Sequence, residues 1–361
     1  MRAWSCTTPG SFSLLDIPAP EPQDGRTTLR IRRIGVCGTD LHAFQGTQPY
    51  FSYPRILGHE LAGDPVDGPE RGDACTLIPY YACGHCIACR RGLPNCCTSI
   101  KVCGVHIDGG MVEYLSVPND ALVPGEGLSH DALALVEPLA IGAHGVRRAG
   151  ITPGEFVLVI GAGPIGLGTM AFARIAGARV IALDVNEARL RFCREQLGVE
   201  HTVLAGGAGA TAAGPTPTAS SGATGPGGAA QDGSAAPTAL EAVRDITSGD
   251  MATVVIDATG NLKAINGGLD YLAHGGRYVL IGLQKEAFCF SHPEFHKRES
   301  TLMSSRNATR EDFRQVMRAL RSGEVDPVTF ITHRAPFDKV GAEFPGWLDP
   351  ASGVIKAMIE L

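Results

Sequence analysis

"FVLVIGAGPIGLG", residues 156–168, is the stretch that decides the fold of this chain. Five apolar residues run straight into Gly161-x-Gly163-x-x-Gly166, and a small, apolar stretch continues to Ala176. A GxGxxG triplet alone is a weak signal. Between a strand and a helix it acquires a mechanism. The first glycine makes the tight turn, the second lets backbone approach a pyrophosphate, and the third allows close helix–strand packing. The helix N-terminus then offers free N–H groups to phosphate. Residues 156–168 therefore predict the opening βα unit of a dinucleotide-binding sheet, with Gly161, Gly163, Pro164, Ile165 and Gly166 beside the cofactor.

Further along, "RVIALD" precedes the helical "NEARLRFCREQLG", and "TVLA", "ATVVIDATG" and "GRYVLIGL" follow as apolar strands. Continuous Val/Ile/Leu strands alternating with helices indicate a parallel sheet covered on both faces, an α/β doubly wound domain. Asp184 ends the second strand, 18 residues after Gly166. A carboxylate there accepts hydrogen bonds from the adenosine ribose hydroxyls and repels a 2′-phosphate, which predicts NAD over NADP. Arg189, on the next helix, is expected at the ribose side or in solvent. Residues 206–237 are Gly, Ala, Pro, Ser or Thr except for Gln231 and Asp232. That composition buries little apolar surface and predicts a flexible insertion.

The flanks differ in style. The first 140 or so residues are β-rich and irregular, with "TLRIRRIGV", "ACTLIPY" and "MVEYLSV" separated by Gly, Pro and Asp turns. After Ser305 come an amphipathic helix, "TREDFRQVMRALRSG", and short strands near "FITHRAPF" and "GVIKAMIEL". The expected organisation is a β-rich domain from residues 1–145 and 306–361, interrupted by the nucleotide domain at 146–305. With 44% hydrophobic and 19% charged residues, the 361-residue chain can bury two cores. A net charge of −6 without a long basic run argues against nucleic acid. Neither a signal peptide nor a membrane span is read from the sequence, so cytoplasm is the expected compartment. Eleven cysteines there point to thiols and metal ligands.

Five of those cysteines fall within "YACGHCIACRRGLPNCC", residues 81–97. Cys83, Cys86, Cys89 and Cys97 read as C-x2-C-x2-C-x7-C, a spacing that closes a tetrahedral thiolate site of the structural zinc kind. An iron–sulfur cluster also begins with C-x2-C-x2-C, but its fourth cysteine at x3 before proline is absent. Cys96 could replace Cys97 on spacing alone. A quieter set lies scattered: Cys37 in "GVCGTDLH", His59 and Glu60 in "RILGHEL", and Glu137 in "LVEPLAIGAH". Together they supply sulfur, imidazole nitrogen and carboxylate oxygen, a mix suited to catalytic zinc. Asp40 is expected to orient His59 from behind.

Taken in this order, Cys37 with "GTDLH", "GHE" at 58–60, the four-cysteine lobe, "EPL" at 137–139 and "GAGPIG" resemble the zinc-containing medium-chain alcohol and polyol dehydrogenases over essentially the whole chain. The resemblance implies a GroES-like catalytic domain and a homodimer or homotetramer. It implies that Cys37, His59 and Glu137 hold catalytic zinc, with Glu60 a ligand or exchangeable neighbour, and that Thr39 and His42 relay the released proton. A narrower resemblance, carried by "GTDLHAFQGTQPYFSYPRILGHE", "VCGVHIDGGMVEYLSVP" and "EFHKRESTLMSSRNATREDF", is to the branch that oxidises L-galactonate or L-gulonate at C5. A sugar acid needs a cation for its carboxylate. Arg306 is the first candidate, followed by His106, Asn307 and His296; His296 and Lys297 read better as a solvated helix. Alternatives are a sorbitol-like polyol or L-threonine dehydrogenase, and a non-catalytic nucleotide-binding relative, which should have lost a zinc ligand or the relay pair.

Overall fold

A computed structural model describes residues 1–48, 51–206 and 237–361. The insertion expected at 206–237 lies outside the described residues except at its two ends. Phe156–Ile160 forms a strand whose last four residues are buried, as a strand covered on both faces requires. It sits in the middle of a six-stranded, all-parallel sheet. The order is His201–Leu204, Arg179–Asp184, Phe156–Ile160, Ala252–Asp257, Leu272–Leu280, Thr301–Ser304. The chain winds outward in one direction from Phe156–Ile160, then crosses back to Ala252–Asp257 and winds the other way. In such sheets ligands bind at the carboxyl ends of the strands where the winding reverses. The Gly-rich turn occupies that point, and the Pro164–Ile175 helix leaves it, with Pro164 in its first turn, where a missing N–H costs nothing.

A second sheet gathers both ends of the chain. Its order is Leu122–Pro124, Cys75–Leu77, Glu60–Pro65, Arg26–Val36, Lys356–Glu360, Ile331–Pro336, with Tyr114–Pro118 also paired to Arg26–Val36. The last strand therefore lies beside Arg26–Val36, antiparallel, with Ala357 opposite Val36. Ala357, Met358 and Ile359 are buried in the cores this sheet covers, which is the physical reason the C-terminus returns. Between the sheets runs the helix Val136–Ala149, nearly all of whose residues are buried. Its neighbours include the Pro164–Ile175 helix and the Arg310–Ser322 helix. The cysteine-dense segment forms a small lobe, closed by the short strands Tyr80–Tyr81 and Lys101–Val102. Cys97, Ile100 and Val102 anchor it in the same core as Val136 and Leu139. His296 and Lys297 lie on the exposed helix His292–Lys297, as a solvated charged helix should. No helix among the described residues is long and apolar enough to cross a membrane.

Candidate active site

Cys37 caps the N-terminus of the helix Gly38–Phe44, and Asp40 in the first turn reaches back to it. The Cys37 amide donates to Asp40 Oδ2 at 2.9 Å, and the Gly58 amide donates to Asp40 Oδ1 at 3.2 Å. One buried carboxylate thus ties the turn carrying Cys37 to the residue before His59. Glu60 opens the strand into the second sheet, and His59 stands just before it. The outcome is that Cys37, His59 and Glu60 each offer a ligand atom, all within 4.8 Å of one another. Asp40 Oδ1 lies 3.7 Å from His59 Nδ1, longer than a hydrogen bond, and that nitrogen has no hydrogen-bond partner among the described residues. Asp40 therefore differs from its expected role. Its bonds go to backbone amides, and it faces His59 only through its charge.

Two residues passed over in the sequence complete the surroundings. Lys356, from the last strand, is buried, with its Nζ 2.6 Å from each oxygen of Glu60 and 3.1 Å from the Val36 carbonyl. Burial opposes its charge, yet Glu60, Cys37 and Glu137 outweigh this and hold its pKa above the ordinary lysine value. Tyr80 donates its hydroxyl to Glu137 Oε1. Glu137 stands in the first turn of the Val136–Ala149 helix, outside the 4.8 Å set but close enough for its charge to act on His59. Burial pushes its carboxyl up to about 7, with His59 opposing and Glu60 reinforcing the rise. Among the described residues, Cys37, Asp40, Glu60 and Glu137 thus face His59 and Lys356 as their cations. A divalent ion would relieve that excess of acidic groups, and thiolate, imidazole and carboxylate are donors that zinc accepts. The residues present fit a zinc ion.

The lobe brings Cys83, Cys86, Cys89 and Cys97 within 4.8 Å of one another. The Cys83 amide points at Cys97 Sγ (3.2 Å) and the Cys86 amide at Cys83 Sγ (3.3 Å). The His85 and Cys86 amides draw the Cys83 thiol down to about 7 and those of Cys89 and Thr98 draw Cys86 down to about 5, while burial and the neighbouring thiols push Cys89 up to about 12. Cys97 is buried inside the set, whereas Cys96 is exposed and outside it. Adjacent in sequence, the two are separated by which way the chain turns.

In the nucleotide turn Gly161 has φ +99°, and a Cβ on Gly166 would fall 1.8 Å from the Gly161 carbonyl oxygen. A Cβ on Gly163 would meet nothing within 4 Å, so its backbone is open to an approaching phosphate. Asp184 is buried. Its oxygens accept from the Ala162 amide (2.6 Å) and the Asn186 amide (2.8 Å), clamping the turn to the strand end. An ionised carboxylate has about four acceptor positions, so two stay available for ribose hydroxyls. Arg189 is exposed on the helix Glu187–Leu197.

Thr39 is half-buried and His42 exposed, and no hydrogen bond joins their side chains among the described residues. His42 Nδ1 instead lies 3.1 Å from Thr47 Oγ1. Arg306 lies two residues beyond the strand Thr301–Ser304, exposed, and its guanidinium has no hydrogen-bond partner among the described residues. His106 accepts from the Val102 amide at Nδ1 (3.0 Å). Partial burial and then the charges of Arg306 and Arg55 depress its pKa. The loop carrying His106 is stitched to the approach to His59: Gly109 donates to the Ile56 carbonyl (2.8 Å) and Met111 to that of Leu57 (2.9 Å). Arg55, another residue missed in the sequence, holds Ser52 Oγ at 2.9 Å and pairs with Asp108 at 3.3 Å. Asn307 directs its amide at the Asn95 carbonyl (3.3 Å) and is occupied within the chain.

Comparison with known proteins places this arrangement. Residues 23–127 match the model "Alcohol dehydrogenase GroES-like domain" and residues 227–322 the model "Zinc-binding dehydrogenase". The chain belongs to the zinc-containing medium-chain alcohol dehydrogenases, and it is an alcohol-oxidising enzyme. It is 42% identical to the L-galactonate-5-dehydrogenase of Escherichia coli K12, over 93% of this chain and 92% of that protein. It is 28% identical to the 2-dehydro-3-deoxy-L-galactonate 5-dehydrogenase of Pseudoalteromonas atlantica, over 97% and 96% of the two chains. Among solved structures, the RspB dehydrogenase of Escherichia coli CFT073, crystallised with NADH, superposes with a TM-score of 0.85 at 25% identity, covering 100% and 99% of the two chains.

Proposed function

We propose that this enzyme oxidises the C5 hydroxyl of an L-hexonate, L-galactonate or L-gulonate, with NAD as acceptor. The observation that carries the reading is Arg306. Its exposed guanidinium has no hydrogen-bond partner among the described residues, and after burial its charge helps lower the pKa of His106, in a loop bonded to the segment that leads into His59. A carboxylate is the substrate group such a cation selects, and the similarity to two galactonate-type dehydrogenases supports the same class.

When bound, zinc supplies Lewis acidity to the substrate hydroxyl and the dinucleotide supplies the hydride acceptor. The chain does the rest. Cys37 and His59, with Glu60 or Glu137, would hold the metal, and Asp40 ties the Cys37 turn to the Gly58 amide just before His59. Gly163 and the start of the Pro164–Ile175 helix seat the pyrophosphate, and Asp184 receives the ribose. Thr39 and His42 take the proton towards water, with His42 at the exposed end. Arg306 holds the acid group of the substrate. We further propose a cytoplasmic homo-oligomer, with the Thr301–Ser304 edge strand as a surface open to pairing.

NADH formation against a panel of aldonates, neutral polyols and L-threonine, with and without chelator, tests the reading. Turnover confined to threonine or neutral polyols would end the hexonate assignment. Arg306→Ala is expected to lower kcat/KM for the acid roughly 10- to 100-fold, the worth of a charge-assisted pair. An unchanged value would move the carboxylate elsewhere. Asp184→Asn removes the charge that excludes a 2′-phosphate, and the NADP/NAD ratio of kcat/KM should rise about tenfold or more. A constant ratio would place cofactor discrimination outside this residue.

A further inference from the structure

Asn95 lies between the third and fourth cysteines of the lobe and is 3% exposed. Its amide nitrogen donates to the Arg306 carbonyl at 2.9 Å and stands 3.2 Å from His144 Nε2. His144 Nδ1 is 2.9 Å from Asp312 Oδ2, so the ring proton belongs on Nδ1 and Nε2 accepts from Asn95. Both hydrogens of the amide are thereby committed. Asn95 Oδ1 is buried without a partner among the described residues, so the orientation is set by the two acceptors, and a flipped amide would turn oxygen against both. The Asn95 carbonyl in turn accepts from Asn307 Nδ2.

This one side chain joins three parts of the molecule: the cysteine lobe, the helix whose first turn bears Glu137, and the turn that carries Arg306. That turn is tight: Asn307 has φ +52°, the left-handed backbone that asparagine adopts more readily than most non-glycine residues. The Arg306 guanidinium has no hydrogen bond to the described residues, so its backbone does most to aim it, and a small peptide rotation is magnified along so long a side chain. We infer that Asn95 is a positioning residue for substrate recognition: through the Arg306 carbonyl, the cysteine lobe sets where the guanidinium meets the substrate carboxylate. The inference rests on the proposed reading of Arg306.

Steady-state kinetics of the zinc-loaded enzyme with L-galactonate test it. Asn95→Ala is expected to raise KM for L-galactonate roughly tenfold, with kcat changed less than about twofold, because a misplaced binding group weakens binding more than chemistry. The KM for NAD and the zinc content should stay at the wild-type level. In an Arg306→Ala background the same substitution should add nothing, since the group it aims is gone. Additive effects, a fall in kcat at constant KM, or loss of lobe zinc would each overturn the inference. Asn95→Ser, too short to bridge both acceptors, serves if the alanine variant does not fold. Absence of both L-galactonate and L-gulonate turnover by the wild type would sink the substrate reading and this inference together, whereas an Arg306→Ala variant with unchanged KM would move the substrate carboxylate elsewhere and overturn this inference with it. A raised KM in Arg306→Ala alone would sink only this inference.

Discussion

Replacing His59 by alanine is expected to lower kcat/KM by about a thousandfold or more, the several kcal/mol a Lewis acid contributes to this chemistry. It should also remove one of the two metal ions for which the described residues hold ligand clusters. His59 brings the only ring nitrogen to the cluster with Cys37 and Glu60. Without it the remaining donors are acidic, one of them already bound on both oxygens by Lys356. The lobe ion should be untouched, because Cys83, Cys86, Cys89 and Cys97 share no ligand with this cluster. Zinc analysis of the purified variant separates the cases. Full activity, or loss of both ions, would refute the two-site arrangement.

The second large effect concerns stability. Asp312 is fully buried in the first turn of the helix Arg310–Ser322. It accepts from His144 Nδ1 (2.9 Å), Arg147 Nε (2.7 Å) and the amide and hydroxyl of Thr309 (both 2.8 Å). Burial disfavours its ionised form, but the bonds from His144, Arg147 and Thr309 prevail and hold its pKa well below the usual carboxylate range. Asp312→Ala leaves His144 and Arg147 facing an empty acceptor. It is expected to cost about 3–5 kcal/mol, or a fall in Tm of roughly 5 °C for a chain of this size. Because the folded pKa is depressed, the contribution is complete above an unfolded carboxylate value of about 3.9. It fades as pH falls towards the folded value. Wild type and Asp312→Ala should therefore converge in thermal melts taken at progressively more acid pH. A gap that stayed constant down to acid pH would show that the carboxylate's charge is not the source.

Much of this was legible in linear order, for identifiable reasons. The nucleotide turn is local: its three glycines act within six residues, and strand and helix signals flank them directly. The lobe cysteines are local too, so their spacing alone announced a metal. Cys37, His59, Glu60 and Glu137 are scattered, and only their occurrence in a family's order drew attention to them. Lys356, Tyr80, Asn95 and His144 escaped notice because nothing about a lone lysine, tyrosine, asparagine or histidine marks it. Their roles exist only once a distant partner arrives: Lys356 meets Glu60 across 296 positions, and Asn95 meets Arg306 across 211.

The difference follows from how each interaction is encoded. Periodicity, turn chemistry and ligand spacing act over a few residues, so the order of amino acids alone specifies a doubly wound sheet, a glycine turn for a dinucleotide and a four-thiolate lobe. The choice of Cys97 over Cys96, the bidentate grip of Lys356 on Glu60, and the bridge from Asn95 to the Arg306 turn depend on where separate segments come to rest. The burial of the last strand against Arg26–Val36, and of the Val136–Ala149 helix between the sheets, makes those placements. No local pattern carries them, because the forces that create them, apolar burial and the pairing of buried polar groups, act only after the chain has closed on itself.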